Sequence, residues 1–435
     1  MIPGGGDLRF DRMPPRWVPL RAFLVAPVLG GLGGLMLGIV GDRAATSRYA
    51  GELIGALHLV TLGFLTLVMA GAVVQVLPVV TGVPVPGASW VGPASQLGVA
   101  VGSLAMALGL ASRWGVVVGI GGVFVGAGLA VFAAAAMAAA WRARRNPTGR
   151  AMGLAVVSLV VVAGLGVTFL AGHAGWMTLR RDLTDVHLAW ALIGWLGLLV
   201  MGVSFQVVPM FQVTPHYPRG IQRLLPGVGF LGLVGWTVGR LERWSAVAAV
   251  GAGLAIGAMA VHAATTLWLQ AHRRRKLRDV TTDDWRSGMV SVLAATGVVG
   301  AGALGVVDLA RTGPALTLGA LSVFGFGVSV VEGMLYKIVP FLSWLHLQNL
   351  VSHADRPSAV RIRNMRQLLP GVGPRRQFAA HVVAVVALLV AAAAGGVWMR
   401  IAGAALAIDL WWLAWELAGV VRRSNQDRRE VLRAG

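Results

Sequence analysis

Cysteine is absent from this sequence, and charged residues are scarce. Of the 435 residues, 12% are charged and 57% are hydrophobic. Without cysteine the chain forms no disulfide, thiolate metal site, cysteine-ligated iron–sulfur cluster or cysteine nucleophile. A typical soluble domain is about 25% charged, so this chain has too little polar surface for a water-soluble enzyme. Its high hydrophobicity also excludes an intrinsically disordered chain.

Long apolar segments run through almost the whole sequence. A helix that crosses a bilayer needs about 20 mostly apolar residues. On that basis the sequence predicts an all-α, multi-pass protein of the plasma (inner) membrane, with a single transmembrane domain over residues 1–435. The twelve predicted transmembrane helices span about 21–41, 52–78, 92–111, 114–140, 151–172, 186–210, 223–239, 244–270, 287–308, 313–340, 379–399 and 401–420.

The basic residues predict how these helices are oriented. The formal net charge is +20, and with the N-terminus inside, 27 Lys and Arg residues fall on the inner side and nine on the outer side. Short loops rich in Lys and Arg stay in the cytoplasm, so we expect both termini to be cytoplasmic. No segment interleaves arginines with base-stacking aromatics. The expected partner of this charge is therefore the lipid bilayer, and not nucleic acid.

A short motif recurs in predicted helices 2, 6 and 10. Each copy has a glycine, a long polar residue four positions later and a proline three positions after that, and the prolines are 131 residues apart both times. The spacing predicts three pseudo-threefold four-helix repeats at about 21–140, 151–270 and 287–420, the last containing a cytoplasmic loop at 341–378. The residues of the motif are Gly71, Gln75 and Pro78; Gly202, Gln206 and Pro209; and Gly333, Lys337 and Pro340.

The segment from His58 to Gln75 resembles helix 2 of subunit I of the haem-copper oxidase superfamily, and the start of predicted helix 6 around His187 resembles a position where that family also has a histidine. In size and in its few histidines the chain is more similar to the NnrS-like haem-copper membrane proteins, which are linked to nitric oxide stress. The resemblance implies a haem-binding histidine near the outer face. Predicted helix 7 lacks the family's histidine pair and predicted helix 10 lacks its His-x-His motif. The binuclear oxygen-reducing centre is therefore not expected.

Three histidines fall at or near the predicted outer face: His58, His187 and His173. Two imidazoles facing each other across a bundle bind a haem iron axially, or bind copper or zinc. His58 and His187 are the candidate ligands of haem b or copper, and His173 could add a third metal-binding nitrogen. The alternative is three unrelated histidines at membrane boundaries, hydrogen-bonded to water.

Five polar residues within the predicted helices are candidates for a proton or polar path: Glu332, Asp409, Gln75, Gln206 and Lys337. Ionisable residues inside a membrane are costly, and they usually face a bundle interior or mark an ion pathway. The alternative is that the acids pair with basic residues and that Lys337 extends to the nearby inner surface.

Two functions follow from these patterns. The first is a divergent haem-copper-oxidase-like protein that binds haem b, copper or both near the outer face, with a membrane redox partner and a role in redox chemistry, metal handling or the response to nitric oxide. The second is a cofactor-free transporter or channel with a polar path between helices 2, 6 and 10. A purely structural subunit would leave the buried acids unexplained. Whether the chain is an enzyme stays open at this point.

Overall fold

A computed structural model describes residues 9, 12–274, 277–352 and 362–434 of the chain. The described residues form helices and connecting turns, with no β-strand among them. Eleven of the helices are long and apolar enough to cross a membrane. The chain is therefore an all-helical, multi-pass membrane protein.

Twelve long helices, labelled here α1 to α12, account for most of this structure. Their bounds are Trp17–Val40 (α1), Gly51–Thr81 (α2), Ala88–Ser112 (α3), Gly115–Arg142 (α4), Pro147–His173 (α5), Arg181–Gln212 (α6), Arg219–Leu241 (α7), Ser245–Ala271 (α8), Val280–Ala303 (α9), Thr312–Ser352 (α10), Val372–Ala394 (α11) and Val397–Arg433 (α12).

Helix α9 is the one long helix outside the group of eleven. Its first turns contain Asp283, Asp284 and Arg286, and these charges lower its hydropathy. The Asp284 side chain is fully buried within the protein. Its charge therefore does not face lipid, and hydropathy alone underestimates how well this helix suits a membrane.

The helix ends differ from the predicted spans mainly in the third repeat. Helix α10 continues past Pro340 to Ser352, so the first part of the predicted loop 341–378 is helical. Helix α11 ends at Ala394, well before residue 399, because Gly395 and Gly396 adopt φ angles of +60° and +62°. These left-handed conformations favour glycine and end a right-handed helix.

The helices form an inner layer of three and an outer layer of nine. Helices α2, α6 and α10 are the most buried of the spans. Each packs against the first helix of its own predicted repeat, which is α1, α5 or α9. Around them, contacts between α1 and α12, between α4 and α5, and between α8 and α9 close the outer helices into a ring.

Each inner helix contains a π-helical segment: Leu59–Thr66, Trp190–Gly197 and Ala320–Val328. The three segments meet in the middle of the bundle, where a methyl group added to Gly327 would lie 2.9 Å from Leu196 Cδ2 and 3.0 Å from Leu65 Cδ1. The three contacting residues, Leu65, Leu196 and Gly327, follow one another at intervals of 131 residues. Two leucines and a glycine therefore fill the space where the inner helices approach one another.

The motif glycines allow the inner helices to pack closely on their outer neighbours. A methyl group added to Gly71 would lie 3.0 Å from Ala22 Cβ, one on Gly202 would lie 2.6 Å from Ala151 Cβ, and one on Gly333 would lie 2.7 Å from Asp284 Cβ. Small residues at such crossings let helix backbones approach in lipid. In each unit the glycine thus faces the same part of the preceding outer helix.

Candidate functional site

Three helices bring Glu332, His381 and Asp409 together inside the bundle. Glu332 lies on α10, His381 on α11 and Asp409 on α12, and each side chain is 0% exposed. The His381 Nδ1 atom is 2.8 Å from Asp409 Oδ2 and 3.3 Å from Glu332 Oε2. We call this group the buried centre.

Gln377 links the two carboxylates of the buried centre. It lies one helical turn before His381, so the two side chains project from the same face of α11. Its amide nitrogen donates to Glu332 Oε2 at 3.0 Å and to Asp409 Oδ1 at 2.6 Å. Its amide oxygen accepts a hydrogen bond of 3.0 Å from the hydroxyl of Tyr336. Both amide hydrogens thus hold the carboxylates in place.

Ser329 determines which nitrogen of His381 carries a hydrogen. The Ser329 hydroxyl donates to the carbonyl oxygen of Gly325 at 2.7 Å, and its oxygen lies 2.7 Å from His381 Nε2. A hydroxyl has one hydrogen to donate, so Nε2–H donates to Ser329. The other ring nitrogen, Nδ1, is left facing two carboxylate oxygens.

A third carboxylate, Asp284, belongs to the same region. It is 0% exposed and lies against Gly333, the residue that follows Glu332. It interacts electrostatically with Glu332, His381 and Asp409. Both Asp284 oxygens, and Oε1 of Glu332, are buried without a hydrogen-bond partner. Buried polar atoms are rarely left unpaired, so these three oxygens are open to a proton, a water molecule or an ion.

The buried centre has the donors of a metal site. One ligand atom from each of Glu332, His381 and Asp409 lies within 4.8 Å of the others. Among the described residues this is the one group of three or more His, Asp or Glu side chains with that property. An imidazole with two carboxylates suits divalent cations such as Zn²⁺, Fe²⁺ and Mn²⁺.

Two of the sequence-predicted path residues, Glu332 and Asp409, therefore lie side by side. Sequence patterns did not identify His381, Gln377 and Asp284 as members of the same site. Gln377 and His381 are two polar residues four positions apart in a helix whose other polar residues, Arg375 and Arg376, lie near its start. That spacing puts them on one face, and it is the signal that could have identified them.

His58 and His187 lie close enough to each other to interact electrostatically. Nδ1 of His58 is 2.7 Å from the carbonyl oxygen of Ile54. A carbonyl only accepts, so Nδ1 carries the hydrogen and Nε2 keeps the lone pair that would bind a metal. Nδ1 of His187 is buried without a partner. The imidazole of His187 also packs edge-on against Phe169, with ring centroids 5.6 Å apart.

The third predicted ligand, His173, is exposed, and its Nδ1 bonds to the carbonyl oxygen of Phe169 at 3.0 Å. The three histidines do not form a metal-type group like that of the buried centre. Asp185, two residues before His187, makes salt bridges to Arg48 and to Arg240. The carboxylate therefore joins the ends of α6 and α7 to the segment before α2.

The polar residues of the repeated motif diverge in their surroundings. Gln75 and Gln206 line a cavity of about 50 Å³ between the inner helices, together with apolar residues such as Phe341. Lys337 does not line this cavity, because its Nζ forms a 2.6 Å salt bridge with Asp279. The amide oxygen of Gln75 is buried and unpartnered.

A second buried polar group lies between α6, α8 and the segment that joins α6 to α7. His262 Nε2 is 2.9 Å from the Ser204 hydroxyl, and the Tyr217 hydroxyl is 2.7 Å from that of Thr266. Tyr217 stacks on His262 with ring centroids 6.0 Å apart. Burial raises the pKa of Tyr217 to about 12, although hydrogen bonds from Ser204 and Thr266 oppose the shift. The phenol therefore stays neutral and serves packing.

No protein-family model matches this chain, and no curated protein matches it significantly.

Proposed function

We propose that this membrane protein binds a cation in the buried centre and moves it across the membrane. The observation that carries this proposal is the arrangement around Nδ1 of His381. With Nε2–H donated to Ser329, Nδ1 and two carboxylate oxygens converge within 3.3 Å. All three atoms are acceptors when unprotonated, so a positive charge, either a proton or a metal ion, has to lie among them.

The arrangement in the membrane is part of the proposal. We propose twelve spans in three four-helix units in the plasma (inner) membrane, with both termini in the cytoplasm. The distribution of Lys and Arg agrees with this arrangement. The three π-helical segments and the three glycine contacts at matching positions support the repeat. Burial of Asp284 inside the protein supports α9 as the remaining span.

Two further polar residues of α10 lie beyond the buried centre, towards the start of α9. Gln377 bonds to Tyr336, and Tyr336 precedes Lys337, which pairs with Asp279 at the start of α9. Proton and ion pathways in membranes are built from such buried polar groups, which face the bundle interior. We therefore place the exchange route between α9 and α10 and not along the axis between α2, α6 and α10.

The test is cation movement in liposomes that contain the purified protein. One set of vesicles contains a proton-sensitive dye, and a second set contains a dye for divalent cations. An imposed gradient is expected to change one of the two signals, and Glu332→Gln is expected to abolish that change. The control Glu416→Gln, which alters a partly exposed acid on α12, should behave as the unmodified protein does. No response in either set, or an equal response in both variants, would refute the proposal.

A second candidate function rests on His58 and His187. The two imidazoles are near each other, and each has a ring nitrogen with no hydrogen-bond partner to occupy it. This donor pair fits the axial ligation of haem b or the binding of copper. Bound there, either group would supply one-electron redox chemistry, while His58 and His187 would hold and orient it, in line with a redox or nitric oxide role.

An optical spectrum of protein purified from haem-replete cells, together with metal analysis, tests this second candidate. A haem Soret band is expected that disappears in His58→Ala and in His187→Ala. His272→Ala serves as the control, because this histidine is exposed and bonds to its own helix at Trp268. A colourless preparation without copper would contradict the candidate.

A further inference from the structure

We infer that the cation of the buried centre is a divalent metal ion, bound by Nδ1 of His381 and by carboxylate oxygens of Glu332 and Asp409. This inference rests on the proposed function and names its substrate class. Zn²⁺ binds His nitrogen and carboxylate oxygen at about 2.0–2.2 Å, which puts ligand atoms about 3.3–3.6 Å apart in a tetrahedral site. The distance from Nδ1 to Glu332 Oε2 is 3.3 Å, and that to Asp409 Oδ2 is 2.8 Å. A metal ion therefore fits after a small outward shift of Asp409.

The residues around the three ligands hold them by the kinds of hydrogen bond that orient metal ligands in metalloproteins. A metal-binding histidine almost always donates its second N–H to a neighbouring oxygen, which fixes the tautomer. Ser329 accepts that hydrogen from His381. Nδ1, which donates to Asp409 Oδ2 at 2.8 Å when it carries a hydrogen, would present its lone pair to a metal ion once that hydrogen is displaced. Metal-binding carboxylates are likewise hydrogen-bonded, and Gln377 donates to both Glu332 and Asp409.

The charge of the site favours a divalent ion over a monovalent one. Glu332 and Asp409 carry two negative charges when ionised, and an imidazole with its hydrogen on Nε2 alone adds no charge. Among the described residues, the salt bridges of these two carboxylates involve His381 alone, and no Lys or Arg. A buried charge is costly unless it is compensated. A divalent ion cancels both charges, whereas a single proton leaves one.

The oxygens without partners supply further coordination. Glu332 Oε1 is buried and unpartnered, as are both oxygens of Asp284 on the neighbouring helix α9. Asp284 lies against the backbone beside Glu332 and interacts electrostatically with all three ligands. Asp284 could supply a fourth ligand, either directly or through a bound water. The metal ion would then give the Asp284 carboxylate the partner that it lacks within the protein.

The experiment measures metal binding to the detergent-purified protein after treatment with a chelator. Zn²⁺ and Mn²⁺ are added separately, and bound metal is measured by elemental analysis beside the thermal unfolding midpoint. Saturable binding and a raised midpoint are expected for the unmodified chain. Asp409→Asn should abolish both effects, and Ser329→Ala, which removes an orienting group and no ligand, should weaken binding by about 10-fold to 100-fold. Glu416→Gln is the matched control on α12 and should bind as the unmodified chain does.

The outcomes separate this inference from the proposed function. If neither metal binds, while the proton dye in liposomes still responds and the response depends on Glu332, the cation is a proton and the metal inference is wrong. Equal binding by Asp409→Asn, Ser329→Ala and the unmodified chain would place the metal elsewhere and would also overturn it. Absence of both metal binding and dye responses would refute the proposed function as well. If Asp409→Asn does not fold, Ser329→Ala and Asp284→Asn provide the comparison.

Discussion

Ser329 is a small residue whose 2.7 Å hydrogen bond to the carbonyl oxygen of Gly325 has a large effect on the buried centre. Because its hydroxyl hydrogen goes to Gly325, its oxygen can only accept from His381. The orientation and tautomer of the imidazole are therefore set by an α10 residue that is not itself a ligand. The same serine-to-backbone arrangement recurs at Ser204, which donates to Met201 and contacts His262.

Replacing Ser329 with alanine is expected to destabilise the protein by about 1–3 kcal/mol, because Nε2–H of His381 then stays buried without an acceptor. The measurement is unfolding of the purified protein in detergent. Ser112→Ala is the control, since Ser112 is exposed and its hydroxyl bonds only within its own helix. Equal midpoints for the two variants would show that Ser329 does not accept from His381.

The sequence indicates two of the three residues of the buried centre. Glu332 and Asp409 were recognised because a carboxylate in an apolar helix is unusual. His381 was assigned to the end of its helix, because the apolar segment was placed at 379–399, whereas α11 begins at Val372. The residue therefore lies two turns further into the helix than expected. Asp284 was missed for a related reason, since it precedes the predicted span 287–308.

Helix packing in this protein depends on close contacts at glycine. Gly202 on α6 lies so near α5 that even a methyl group would overlap Ala151. In lipid, where water does not drive helices together, such van der Waals contacts are a main source of association. The sequence has 60 glycines, and it does not indicate which of them lie against a neighbouring helix. The structure identifies those positions.

The variant Gly202→Ala is expected to lose about 1–3 kcal/mol of stability, because overpacking forces α5 and α6 apart. Gly253→Ala is its matched control. Gly253 is an exposed residue of α8 with no atom within 4 Å of an added methyl group, so alanine should raise stability by about 0.5–1 kcal/mol there. Chemical unfolding of both variants in mixed micelles checks the pair. A gain of stability in both variants would mean that helix propensity, and not contact, governs the result.

Apolar segments predicted the existence of all twelve long helices, and they predicted their ends less well. The tenth predicted span ends at Pro340, yet α10 continues for three further turns after it. The side chains of Leu342 and Leu347 are buried and pack this extension against the rest of the protein. Their burial is a property of the tertiary structure and is not visible in the local sequence. The π-helical segments were not anticipated, because no local sequence pattern distinguishes them from α-helix in an apolar stretch.

For the whole molecule, the distribution of Lys and Arg predicts the orientation. With 27 basic residues on one predicted side and nine on the other, we expect both termini to lie in the cytoplasm. The opposite orientation would place the clusters that flank α4, α8 and α10 outside. The absence of cysteine makes this prediction simple to test, since any introduced thiol is the only one in the chain.

Single cysteines at Thr178, before α6, and at Arg145, between α4 and α5, report the two sides of the membrane. Both residues are exposed. A membrane-impermeant maleimide added to intact cells is expected to label Thr178→Cys, and to label Arg145→Cys only after the membrane is permeabilised. The unmodified chain should stay unlabelled in both conditions. The reverse pattern would place the termini outside.

The three glycine contacts between inner and outer helices are alike in geometry and unlike in chemistry. Gly71 and Gly202 each face an alanine, whereas Gly333 faces Asp284. The first two units therefore offer only a methyl group at the position where the third offers a carboxylate. Under the proposed function, the third predicted repeat carries the ion and the other two contribute only packing, so we expect one cation per chain.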